Sequence, residues 1–129
     1  MSVTIFNPYR HSIPRVPFLR LAKLVVGNSY DVSVVFIRAE NMKKLNRTYR
    51  TKNESTDILS FPLSKRHGEL YISMRDVRKK AALRGMSVTD YFPYLVLHGM
   101  VHLRGLDHGK TMTAAEKKYA KTLRLRIPD

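Results

Sequence analysis

The spacing of apolar and polar positions predicts four strands and about five helices. Residues 2–7 (SVTIFN) read as a short strand, and in residues 14–27 (PRVPFLRLAKLVVG) Leu21, Leu24 and Val25 recur at helical spacing until Gly27 stops the helix. Residues 30–38 (YDVSVVFIR) alternate and are rich in β-branched side chains, as a half-buried strand requires. In residues 39–50 (AENMKKLNRTYR), Met42, Leu45 and Tyr49 fall at i, i+3 and i+7. They predict an amphipathic helix that buries those three and turns Lys43, Lys44, Arg47 and Arg50 to water. Residues 57–63 (DILSFPL), bounded by Pro62, and 68–73 (GELYIS) predict two more strands flanking the polar turn SKRH. Ser73 is placed to cap a helix that Gly85 closes. Ser87 and Asp90 resemble a variant capping box for a helix running to about Arg104, with Pro93 implying a start near Asp90 or a kink. Thr113 and Glu116 have the spacing of a capping box that opens a final helix. Elements in this order predict an α+β fold, a small mixed sheet packed with helices.

Composition narrows the chemistry. The 129 residues suit one domain spanning residues 1–129, and 43% hydrophobic with 26% charged residues is a globular balance. The absence of cysteine excludes a disulfide framework and any thiolate metal site, so a metal would need His, Asp or Glu. Lys and Arg number 24 against 10 Asp and Glu, a formal charge of +14 that draws polyanions. Nucleic acid is favoured over a membrane surface, because a membrane-surface helix would set Trp and Phe opposite its basic face and the chain has no Trp. Residues 1–15 lack the apolar stretch of a signal peptide, and no window is apolar enough to span a bilayer, which makes the cytoplasm the default compartment.

The stretch HGMVHLRGLDH, residues 98–108, gathers three of five histidines. His98 and His102, four apart, share one face of a helix. Gly105 can take positive φ and turn the chain so that His108 comes back toward the same point. Three neutral imidazoles suit zinc, one ion per chain, and leave a fourth position for reactant; other divalent ions fit the same set. Asp107 is expected to support the turn, and His11 and His67 to lie on the surface. The spacing matches the H-E-x-x-H-x-x-G-x-x-H pattern of metzincin proteases except that Gly99 stands where the protease has its general-base Glu. A metalloprotease therefore becomes a minor alternative.

HGMVHLRGLDH resembles the H-G-x-L-H-L-x-G-Y-D-H signature of the YbeY endoribonuclease family, and residues 45–62 (LNRTYRTKNESTDILSFP) resemble its L-N-x-x-Y-R-x-K-D-x-P-T-D-V-L-S-F-P segment. The resemblance implies a single-strand-specific, metal-dependent endoribonuclease acting in 16S ribosomal RNA maturation and ribosome quality control. RNA and the small ribosomal subunit would be its partners, and DNA would not. It implies His98, His102 and His108 as metal ligands and Arg50 as a catalytic residue. A guanidinium suits that role, since it can hold two phosphate oxygens at once. Asn53, Ser55, Val101 and Leu106, and Glu69 in residues 68–73 (GELYIS) set against the family's G-D-I-x-I-S, depart from the family pattern without touching a ligand position. A zinc-stabilised assembly module that binds RNA without cutting it is the alternative from another class.

Overall fold

The computed structural model describes residues 2–105 and 110–128. In chain order these form β1 (Ser2–Phe6), α1 (Phe18–Val25), β2 (Asp31–Phe36), α2 (Ala39–Arg50), β3 (Ile58–Ser64), β4 (His67–Ile72), α3 (Met74–Leu83), α4 (Val88–Leu103) and α5 (Lys110–Leu123). The strands make one mixed sheet in the order β1-β2-β4-β3, with β1, β2 and β4 parallel and β3 antiparallel to β4. This is the α+β architecture that the hydrophobic pattern predicts.

α4 is the axis of the molecule. Phe92, Val96, Leu97, Met100 and Val101 are fully buried, so the helix is apolar nearly all round, as an interior helix must be. The core gathers around it from β2 and β4 (Val34, Phe36, Leu70, Ile72) and from α1 (Leu21, Ala22). At the start of α4 the Ser87 Oγ accepts from the Asp90 backbone N–H at 3.1 Å, the cap its sequence predicts. Pro93 lies within the helix, which begins at Val88 rather than at Asp90.

Several expectations need correction. Leu24 is 38% exposed and Ala22 takes its place in the core, because burial on α1 follows Leu21, Ala22 and Val25. Pro62 lies inside β3 next to a register irregularity; β3 is an edge strand, where a missing N–H costs little. Ser73 sits at the start of α3, but its hydroxyl donates to Asp76 Oδ2 at 2.6 Å instead of capping the backbone. Thr113 and Glu116 do not open the last helix. α5 already begins at Lys110, so both lie inside it. Tyr49, read as a buried residue of α2, is 65% exposed, and the polar Asn46 is buried in its stead.

Candidate active site

α4 presents His98 and His102 to a cleft between the helices and the start of β3. One turn apart, their rings have centroids separated by 4.9 Å and planes nearly perpendicular at 86°. Both are partly buried. The opposite faces of α4 are committed to the core, which fixes the direction of the two imidazoles. Gly105 has φ +96° and its N–H bonds to the His102 carbonyl at 2.9 Å, ending the helix as its position predicts. The third predicted ligand, His108, lies outside the described residues, as does Asp107.

The packing of α5 on α4 brings a group the sequence reading assigned to a different task. Glu116, only 7% exposed, meets His98 Nδ1 through Oε1. A carboxylate can only accept, so Nδ1 carries the proton and Nε2 is the nitrogen suited to a cation. Tyr94 Oη, 3.5 Å from both Glu116 oxygens, is pushed up to about 12 by burial and by the nearby carboxylate. Tyr91 Oη donates to Asp57 Oδ2 at 2.8 Å. Burial, reinforced by that carboxylate, holds its phenol above the usual tyrosine range. Asp57 also accepts from the Ile58 N–H at 2.9 Å, and its carbonyl accepts from the Ser73 N–H, tying the loop before β3 to both neighbours.

Arg50, the last residue of α2, lines the same cleft of about 510 Å³ as His98 and His102. Lys52, Lys80 and Arg84 add positive charge to its walls. The chain reverses just after Arg50 through Thr51, at φ +56°. Buried Asn46 holds the loop beyond: its Nδ2 donates to the Glu54 carbonyl at 2.9 Å, and its own carbonyl accepts from the Lys52 N–H at 3.3 Å. Lys43, Lys44 and Arg47 are exposed as predicted, but Lys43 borders a neighbouring basic hollow with Arg38, Arg75 and Arg78 rather than this cleft. His11 and His67 lie away from the cleft and are partly buried rather than fully exposed; His67 Nε2 is 3.3 Å from Ser33 Oγ.

Among the described residues, no group of three or more His, Cys, Asp or Glu is arranged to hold a metal ion. The pair His98 and His102 nevertheless fits one chemically. Two imidazoles a helical turn apart open on a polar cleft, and the Nδ1 of one is braced by a carboxylate, the usual support of a metal-bound histidine.

Position 99 is closely packed by side chains of the sheet. A Cβ added to Gly99 would come within 2.6 Å of Ile58 Cδ1 and 3.1 Å of Leu70 Cδ2. The Gly99 carbonyl accepts from the buried Ser60 Oγ at 3.1 Å, locking α4 against β3. A glutamate here would have to push the Ile58, Leu70 and Ser60 side chains aside.

The family model described as Endoribonuclease YbeY matches residues 9–124. Similar proteins carry that name in Nautilia profundicola (37% identical, covering 74% of this chain and 73% of the relative) and Aquifex aeolicus (35%, covering 64% and 59%). Another is found in Paraburkholderia phytofirmans (30%, covering 91% and 82%). Among solved structures, the solution structure of TM1509 from Thermotoga maritima matches with a TM-score of 0.57 at 24% identity, covering 95% of this chain and 91% of that one, a likeness of fold. Two signatures, the fold and a match running through nearly the whole sequence agree: the chain belongs to the YbeY endoribonuclease family.

Proposed function

We propose that the protein is a metal-dependent endoribonuclease that cleaves single-stranded RNA, with small-subunit ribosomal RNA as its substrate. The observation that carries this reading is the meeting of Arg50 with His98 and His102 in one cleft of a chain whose formal charge is +14. Family membership supports the reaction class.

His98 and His102, with His108, would hold a divalent ion, zinc being best suited to three imidazoles. Bound there, such an ion supplies a Lewis acid for a phosphoryl oxygen and a means of activating the nucleophile. Glu116 keeps the proton on His98 Nδ1 and fixes the ring. Arg50 opposes the charge that grows on the phosphate oxygens during transfer. Lys52, Lys80 and Arg84 draw the strand into the cleft, and no side chain at position 99 takes a proton. Among the described residues no helix is long and apolar enough to cross a membrane; we place the protein in the cytoplasm, where its substrate is made.

The test is cleavage by metal-loaded protein of single-stranded and duplex RNA of one sequence, with His102→Ala alongside and casein as a second substrate. Cleavage confined to single strands and lost in the variant is the expected result. RNA binding without cleavage by either form would leave only a binding module, and casein digestion would return the protease reading.

A further inference from the structure

Three aromatic rings stand in a row outside the hydrophobic core. Tyr49 of α2 contacts Phe61 of β3 with centroids 5.3 Å apart at 69°, and Phe61 contacts Tyr71 of β4 at 5.6 Å and 80°. Ser60 and Leu70 face α4, so the alternation of side chains turns Phe61 and Tyr71 to the other face of the sheet. Neither Tyr49, Phe61 nor Tyr71 belongs to the hydrophobic core cluster. Tyr49, at the outer end of the row, leaves 65% of its surface in water. Tyr49 precedes Arg50 in the chain and lies three residues after Asn46, and both of those line the cleft.

We propose that Tyr49, set against Phe61 and Tyr71, is a stacking platform for one unpaired RNA base, placed so that the adjoining phosphate reaches Arg50. An exposed ring whose plane is fixed by an edge-on neighbour offers a flat apolar face at little further entropic cost, and every nucleobase has a matching face. The neighbouring cations supply complementarity to the backbone that carries the base. A base inside a duplex is already stacked and paired, so the platform favours single strands, a preference that a phosphate-binding cleft alone does not generate. The inference deepens the reading of the protein as an RNA-cleaving enzyme by giving its cleft a place for the base.

The experiment compares binding of a fluorescent oligouridylate decamer with that of an equally long ribose-phosphate strand lacking bases. Wild type, Tyr49→Ala and Tyr49→Phe are measured by anisotropy in the cold, with strand integrity checked on a gel. Wild type should favour the base-bearing strand, and Tyr49→Ala should lose about tenfold in affinity for it while holding the baseless strand unchanged. Tyr49→Phe should behave as wild type. Equal binding of the two strands by wild type, or equal weakening of both by Tyr49→Ala, would overturn the proposal. Since the readout is binding, absence of cleavage would remove the proposed function and leave the platform standing.

Discussion

Glu116 reaches across from α5 to the Nδ1 of His98 on α4, a contact between residues 18 positions apart made from an almost fully buried carboxylate. Losing a carboxylate that orients a metal-bound histidine usually weakens metal affinity about 10–100-fold. Glu116→Ala should therefore bind zinc that much less tightly in competition with a chromophoric chelator, and Glu116→Gln, which can still accept from Nδ1, should fall between. Wild-type affinity in Glu116→Ala would assign the contact to helix packing alone.

Arg50 stands at the mouth of a reversal set by Thr51 and is exposed, so its truncation should leave the fold intact. Arg50→Ala should lower kcat about 100-fold, the scale of removing one group that stabilises transition-state charge, with KM changed only a few-fold. Arg50→Lys should recover little, because an ammonium lacks the planar fork. Equal loss in kcat and affinity would make Arg50 a general phosphate contact.

Arg50, Lys52, Lys80 and Arg84 all line the cleft. If each meets one phosphate of a single strand, log K against log salt has a slope of about −3. Replacing Lys80 or Arg84 by Gln should flatten it by about 0.7 apiece. A nearly flat wild-type slope would contradict binding led by phosphates.

Tyr91 donates to Asp57 from a buried position, and its phenol is raised above the ordinary 10.0. The folded chain then keeps a proton that the unfolded chain sheds above that value. The associated stability is complete below about pH 10 and declines as pH rises beyond it. Urea midpoints for wild type should fall more steeply than those for Tyr91→Phe above pH 10. Parallel curves would show that the phenol ionises alike in both states.

Local periodicity made the framework readable. The span of α2 coincides with the predicted 39–50, and Gly27, Gly85 and Gly105 all take positive φ at helix ends, as their positions suggested. His98 and His102 were legible as a pair because helical spacing alone brings them together. Glu116 was not, because its role depends on the packing of α5 on α4, and the Thr113–Glu116 spacing pointed to a helix start. Asn46 was missed for a related reason. A polar residue on the inner side of an amphipathic helix breaks the hydrophobic pattern, and its partner, the Glu54 carbonyl, lies in a loop without periodicity. Tyr49 was misread because the i, i+3, i+7 rule identifies a shared face and does not say how far along the helix that face is covered.

The closeness of α4 to β3 at Gly99 also bears on how this scaffold could be re-engineered. Grafting a peptidase's missing acid onto that helix would not be a one-residue exchange. The side chains of Ile58, Leu70 and Ser60 crowd that position and would have to be changed with it. Any new activity built on this histidine pair is more readily sought at the exposed cations that line the cleft, which can be exchanged without disturbing the interior.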